Sequence, residues 1–170
     1  MNKEYLNDLK LGYQDENGVT KIDLILKYPQ QLAKDFGVGT PKLSTKQARS
    51  FFNACNKIYL DFISKKTTLA EAKLELAMMS TKVTDKLNKG AVPQDFKDFF
   101  DANVEAVKTD KDMKSFIMHF EAVCNYLKDA KEQPANGGFG NKPSNNNFGN
   151  KSGQPRYYNN NNKSYGGNRK

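Results

Sequence analysis

The chain of 170 residues carries 27 lysines and arginines against 19 acids, for a formal net charge of +8. The charge is uneven, since residues 1–132 have a net charge of +2 and residues 133–170 hold six cations and no acid. No apolar run approaches the roughly 20 residues of a membrane span, and the first residues lack the apolar core of a signal peptide. Membrane and secreted proteins are therefore excluded, and we expect a cytoplasmic protein.

The first part of the chain predicts a turn followed by a helix. Residues 12–18 are polar and glycine-bounded, which is typical of a loop or hairpin turn. A helix is predicted over about residues 21–35, and Pro29 should split or kink it. Glycines and a proline at residues 37–41 end it. The apolar positions of this helix are Ile22, Ile25, Leu26, Leu32 and Phe36.

Two capping boxes mark the second and third predicted helices. Ser44 with Gln47, and Thr68 with Glu71, have the spacing in which two unpaired backbone donors are satisfied. Gly90 follows the third helix and suits a left-handed cap. Apolar residues recur at helical spacing. They are Ala48, Phe51, Phe52, Cys55, Ile58, Tyr59, Phe62 and Ile63 in the second helix, and Leu69, Ala72, Leu76, Met79, Val83 and Leu87 in the third.

Two further helices complete the predicted bundle. Pro93 begins the fourth helix, and Thr109 caps the fifth, with acids in its first turn. The inward positions are Phe96, Phe99, Phe100, Val104 and Val107 in the fourth helix, and Met113, Phe116, Ile117, Phe120, Val123, Cys124 and Leu127 in the fifth. The predicted fold class is all-α, a compact bundle of about five helices over residues 1–132, with no β-alternation.

The C-terminal tail, residues 133–170, has a different composition. It is rich in asparagine and glycine and offers little to bury, so it is predicted to be disordered. Its cations alternate with aromatic residues, a combination that suits single-stranded nucleic acid. The tail is predicted either to bind such a strand or to be an inert solubilising linker.

Catalysis has weak support in the sequence. There is no glycine-rich phosphate loop, paired-histidine metal motif or CxxC. Cys124 lies five residues after His119, about 140° around a helix, so the two do not share a face. We interpret Cys55 and Cys124 as core residues in a reducing compartment, with a disulfide between them as the alternative. The expectation is a protein that is not an enzyme and has no cofactor and no metal.

A run of three aspartates follows one rim of the fourth predicted helix. They recur every third residue, at Asp95, Asp98 and Asp101. The pattern predicts a solvated acidic face, with a divalent-ion site as the minor alternative.

The best indication of function is a polar stripe on the second predicted helix. Arg49 is the only arginine before the tail, and it lies in an acid-free window, residues 36–60. At 100° per residue, the polar residues opposite the apolar face are Lys46, Arg49, Asn53 and Lys57. Cations beside the free N–H groups of a helix N-terminus suit a bound phosphate. The stripe therefore predicts contact with a phosphate backbone or, equally, a solvated basic face.

Four segments, in order, resemble the small α-helical subunit of type III-A CRISPR effector complexes, the Csm small subunit. The first is the polar turn at residues 12–18, followed by the predicted 22–36 helix. The second is Leu-Ser-Thr-Lys-Gln-Ala-Arg-Ser-Phe-Phe at residues 43–52, which is similar to the family's Leu-Thr-Thr-x-Gln-Leu-Arg-x-Phe helix start. The resemblance covers roughly residues 10–130 and leaves the tail outside.

The other two segments lie in the third and fifth predicted helices. Leu-Ala at residues 76–77 with Lys82 is similar to the family's Lys-Leu-Ala-Tyr-x-x-Gly-Arg, but Glu75 and Met78 depart from it, and Lys82 keeps only a charge. Phe-Glu-Ala-Val-Cys-Asn-Tyr at residues 120–126 is similar to the closing Phe-x-Glu-Ala-x-x-Ala-Tyr.

The resemblance implies a non-catalytic subunit of an antiviral ribonucleoprotein. Its copies would stack in a filament and hold the crRNA–target RNA duplex through sequence-independent backbone contacts. The implied partners are crRNA, target RNA, the other Csm effector subunits and further copies of the chain. Arg49 is the first candidate phosphate contact, with Lys46, Asn53 and Lys57 beside it, and Lys82 is added by the resemblance.

Two other functions stay open at this point. One is a free-standing protein that binds single-stranded RNA or DNA mainly through its basic aromatic tail. The other is a helical adaptor that contacts only proteins.

Overall fold

The computed structural model describes residues 3–132, with side chains up to residue 127. This part of the chain contains six α-helices, a 3-10 turn at Ile22–Leu24 and no strand, which confirms the predicted all-α bundle. The helices are α1 (Lys3–Lys10), α2 (Lys27–Gly37), α3 (Thr45–Ile63), α4 (Leu69–Asn88), α5 (Gln94–Ala106) and α6 (Asp110–Glu132).

The N-terminal region departs from the sequence prediction in two ways. The chain begins with α1, a helix that was not predicted, although its buried Tyr5 and Leu9 have helical spacing. The helix predicted from residue 21 is replaced by the 3-10 turn and α2. Pro29 lies in the first turn of α2, where its missing N–H has no intrahelical partner to lose. Ile22 and Leu26, predicted as inward-facing, are therefore exposed.

The three longest helices begin at their predicted caps. The Ser44 hydroxyl accepts a hydrogen bond from the backbone N–H of Gln47 at 3.1 Å, and the Gln47 side chain returns to the Ser44 N–H. Thr68 and Glu71 form the same reciprocal pair. Thr109 caps α6 in the same way. Each cap is worth about 1 kcal/mol.

The loop between α4 and α5 spans residues 89–93. Gly90 has a φ of +64° and donates its N–H to the carbonyl of Leu87 at 2.8 Å, as expected for a left-handed cap. Pro93 then precedes the first residue of α5. This short turn brings α5 back alongside α4.

Phenylalanine rings fill the centre of the bundle. The Phe51 ring of α3 lies 5.5 Å from Phe96, and Phe52 lies 5.8 Å from Phe120, as ring centroids. Apart from Phe51 and Phe52, six phenylalanine rings of the described residues are fully buried: Phe36, Phe96, Phe99, Phe100, Phe116 and Phe120. Around them α2 and α3 pack on α6, while α4 packs against α3 and α5. One side of α4 is thereby left on the surface.

The predicted disordered tail, residues 133–170, lies outside the described residues. Its boundary with the helical domain at residues 1–132 stays a prediction. Within the described part of the chain, no helix is both long enough and apolar enough to cross a bilayer.

Candidate nucleic-acid interface

The polar stripe of α3 is divided between different neighbours in the fold. Lys46, Asn53 and Lys57 are exposed, as predicted for a surface stripe. Arg49 is half-buried and lies against α6, whereas Lys46 borders α4. The four side chains therefore do not present one uniform basic surface.

Arg49 is held by contacts within the bundle. Its Nη2 atom donates a hydrogen bond to Oδ1 of Asn125 at 2.6 Å, and its Cζ atom lies 5.9 Å from the centroid of the Phe52 ring. A guanidinium has five N–H donors, so this single hydrogen bond leaves others for a ligand. Arg49 thus joins α3 to α6, and its contact with phosphate stays a prediction.

Lys57 is paired with an acid one turn along α3. Its ammonium lies 3.0 Å from the Asp61 carboxylate, which also accepts from Lys66 at 3.0 Å. The hydrogen bonds from Lys57 and Lys66 lower the pKa of Asp61, and the hydrogen bond to Asp61 raises the pKa of Lys57. The positive charge of Lys57 is therefore partly neutralised before any phosphate approaches.

A groove of about 750 Å³ separates the start of α3 from the end of α4. We call it the α3–α4 groove. Its lining residues are Lys46, Gln47, Ser50, Phe51, Ala54, Met79, Thr81, Lys82, Asp85, Lys86 and Ala91. The Gln47 side chain donates to the carbonyl of Ala91 at 2.8 Å, which ties α3 to the loop after α4. The groove thus brings two predicted residues, Lys46 and Lys82, to one surface.

The three lysines of the groove are not neutralised by any side chain that the structure describes. Within residues 3–127, Lys46, Lys82 and Lys86 have no carboxylate within ion-pair distance. Asp85 also lines the groove, but its carboxylate lies 2.9 Å from the ammonium of Lys89. The groove therefore carries an excess of positive charge that suits an anionic ligand.

Residues 19–133 match the model of a protein family described as Csm2 Type III-A. The chain belongs to this Csm2 family. It is therefore a small subunit of the type III-A CRISPR effector complex and associates with the other Csm subunits. No curated protein and no solved structure matches the chain. The matched residues include both helices of the α3–α4 groove.

The N-terminal helix precedes the Csm2 match but is part of the core. The Tyr13 hydroxyl donates to Oδ1 of Asn103 at 2.8 Å, and Nδ2 of Asn103 donates to the Tyr5 hydroxyl at 2.6 Å. Burial raises the pKa of both phenols, so both remain protonated donors. These bonds fasten α1 and the following loop to α5.

His119 extends this buried network and is not a surface base. Its Nδ1 faces the carbonyl oxygen of Leu24, and its Nε2 lies 3.1 Å from the Tyr5 hydroxyl. Only the tautomer that carries its proton on Nδ1 satisfies both contacts, since the carbonyl can only accept. Burial lowers the pKa of His119 to about 4, so the ring is neutral at pH 7. Its position in this Csm2 subunit is structural.

Both cysteines are free thiols in the core, as predicted. Burial raises the pKa of Cys55 to about 12 and that of Cys124 also to about 12. A thiol with such a pKa holds almost no thiolate at neutral pH and is a poor nucleophile.

The acidic rim of α5 is engaged by neighbouring side chains. Asp98 accepts from the Gln94 amide at 2.7 Å, and Asp101 accepts from Ser80 and Lys97. Across residues 3–127, no three His, Cys, Asp or Glu side chains are grouped as a metal site would require. The described rim thus provides no support for the divalent-ion alternative.

Sequence reasoning missed Lys86, which lines the α3–α4 groove. Lys82 and Lys86 are four residues apart, which places them on the same helix face, and this spacing is visible in the sequence. Asn53 and Lys57 were predicted for the interface, but neither lines the groove. What the sequence could not give is which neighbour each face of α3 meets.

Proposed function

We propose that this Csm2 subunit is non-catalytic and stabilises the crRNA–target RNA duplex by sequence-independent contacts with its phosphate backbone. Several copies act together, stacked in a filament beside the crRNA-bound part of the complex. The observation that carries the proposal is that Lys46 and Lys82 line one groove and have no acidic partner among the described residues.

Lysine suits this role because its ammonium is a mobile point charge that selects for negative charge and not for base identity. Each phosphate that a cation neutralises releases bound counterions, so affinity should fall as salt rises. Lys46 and Lys82 are the main contacts in this proposal. Arg49 contributes through the donors that Asn125 leaves unused, and Lys57 contributes less because Asp61 pairs with it.

The exposed side of α4 supports contact with a further copy of the chain. Leu74 and Met78 lie one turn apart on the side of α4 that faces away from the core, and their exposed fractions are 64% and 57%. Leu60 and Ile63 at the end of α3 are half-exposed as well. Exposed apolar side chains that lie one turn apart on a helix are typical of protein contacts.

The contact between copies is tested by replacing Leu74 and Met78 together with aspartate. Native mass spectrometry of the assembled complex counts the small subunits, and the proposal predicts that fewer are retained. Lys73→Asp on the same helix is the control for a surface charge. A complex with the full number of double-variant copies would contradict this part of the proposal.

The RNA contact is tested by target-RNA affinity of the assembled complex at several salt concentrations. Lys46→Ala and Arg49→Ala should each weaken binding, by a similar factor for unrelated target sequences, because backbone contacts carry no sequence information. Unchanged affinity and unchanged salt dependence in both variants would contradict the proposal.

The basic tail supports one competing function, a free-standing binder of single-stranded RNA or DNA. Removal of residues 133–170 distinguishes the proposed function from this competing function. The proposed function predicts that the shortened chain still enters the complex and supports target binding. If target binding disappears although the shortened chain is incorporated, the tail is the main RNA-binding element.

A further inference from the structure

We propose that the α3–α4 groove accepts an unpaired nucleotide of single-stranded RNA, with the base on its apolar floor and the phosphate on its lysine rim. This inference rests on the proposed function and adds to it a ligand class, since backbone contact with a duplex requires no apolar floor.

The floor of the groove is apolar and fixed in place. Phe51 and Ala54 of α3 and Met79 of α4 line the groove, and Phe51 and Met79 are only 9% and 7% exposed. The Phe51 ring is held from behind by Phe96 at 5.5 Å and Phe100 at 6.3 Å, as centroid distances. Ala54 is partly exposed, so the accessible part of the apolar floor lies at this residue. A flat aromatic base can cover such a surface, and phosphate alone cannot.

The rim supplies charge on both sides of that floor. Lys82 and Lys86 lie one turn apart on α4, and Lys46 lies on α3. Asp85, the only acid among the lining residues, is paired with Lys89. The complementary ligand is therefore an anion with an apolar surface, which describes a nucleotide.

An unpaired nucleotide fits this arrangement better than a paired one. A base in an A-form duplex is stacked and paired, and cannot leave the helix to reach a floor behind a lysine rim. A base in a single strand can turn out and stack on a side chain. The groove should therefore prefer single-stranded RNA, a preference that the lysines alone would not produce.

The test uses the full chain and three fluorescent probes of equal length, read by anisotropy. They are a single-stranded RNA, an abasic ribose-phosphate strand and an RNA duplex. Since stacking of one base contributes about fivefold or more to affinity, the single strand should bind at least about fivefold more tightly than the abasic strand.

Two variants locate this preference in the groove. Ala54→Leu fills the floor without changing charge, and should remove most of the difference between the RNA and the abasic strand. Ser50→Leu narrows the groove from an exposed position. If Ala54→Leu lowers the folded fraction, Ser50→Leu replaces it in the test. The tail is present in every variant, so its contribution does not change from one to the next.

A charge variant separates the rim from the floor. The double variant Lys82→Gln and Lys86→Gln should weaken the binding of both the RNA and the abasic strand. It should reduce the slope of log affinity against log salt by about 1.4, the value for two phosphate contacts with a single strand. Lys73→Gln, on another side of α4, is the matched control and should leave both affinities unchanged.

Two outcomes would overturn this inference. In one, the RNA and the abasic strand bind with equal affinity, and neither Ala54→Leu nor Ser50→Leu changes either affinity. If the lysine variants still weaken the binding of both strands, only the backbone contact of the proposed function is supported. In the other, Ala54→Leu leaves RNA affinity intact but lowers incorporation of the subunit into the complex, which assigns the groove to a protein segment.

Discussion

The Arg49 guanidinium donates a 2.6 Å hydrogen bond to the side-chain oxygen of Asn125 and thereby joins α3 to α6. The same group lies 5.9 Å from the centroid of the Phe52 ring. The most prominent basic residue of the sequence is therefore also part of the packing of the bundle. Its effects on stability and on RNA binding have to be measured separately.

Arg49→Ala should destabilise the isolated subunit by about 1–2 kcal/mol, because it removes a charged hydrogen bond and the contact with an aromatic ring. Urea unfolding measures this loss. Lys46→Ala, at an exposed position with no partner in the described part of the chain, should change stability by less than about 0.5 kcal/mol.

A double-mutant cycle with Asn125→Ala isolates the pair itself. If Arg49 and Asn125 are coupled, the double variant loses less stability than the sum of the two single variants. Additive losses, or an Arg49→Ala variant as stable as Lys46→Ala, would show that the hydrogen bond contributes nothing.

Cys55 and Cys124 should not react with a thiol reagent in the native protein at mildly alkaline pH. Both are buried and have a pKa of about 12, so little thiolate forms and the reagent has no access. In denaturant, both should react fully. Rapid reaction of either thiol in the folded subunit would contradict the described core.

Sequence alone predicted the parts of the fold that depend on local chemistry. The caps at Ser44, Thr68 and Thr109 were predictable because each satisfies backbone donors within its own first turn. The first predicted helix, residues 21–35, started too early because Ile22 and Leu26 have helical spacing but are exposed to solvent. Which apolar residues are covered depends on tertiary packing, which periodicity does not include.

The candidate interface was predictable to a similar degree. The wheel placed Lys46 and Arg49 on the polar side of α3, and in the fold Lys46 is exposed while Arg49 is half-buried. It could not indicate that Arg49 forms a hydrogen bond with Asn125 of α6. Nor could it indicate that Lys82 and Lys86 of α4 line the same groove as Lys46, since both arrangements depend on the packing of distant segments. The pairing of Lys57 with Asp61 was visible at a spacing of four residues and was overlooked.

The stability of the subunit should fall steeply in acid because of His119. Its pKa is about 4 in the folded chain and about 6.5 when unfolded, so only the unfolded chain binds the proton between these values. The stability that neutral His119 provides is complete above pH 6.5 and is lost as pH falls toward 4. The full loss is about 3 kcal/mol.

The contribution of the histidine is separated from that of the carboxylates by comparison with His119→Gln. Unfolding free energies of both proteins are measured from neutral pH down to a pH of about 4. Stability should fall less in the variant than in the wild type over this range. Parallel pH profiles would mean that His119 titrates normally and is not buried.

The central claim, that groove lysines contact the RNA backbone, is tested most directly by the salt dependence of target-RNA affinity. Complexes assembled with Lys46→Gln and with Lys57→Gln lose the same charge from the same face of α3, but only Lys57 is paired, with Asp61 at 3.0 Å. Lys46→Gln should reduce the slope of log affinity against log salt by about 0.9 for each copy that contacts a phosphate. Lys57→Gln should reduce it less. An unchanged slope for Lys46→Gln, or a larger reduction for Lys57→Gln, would contradict the claim.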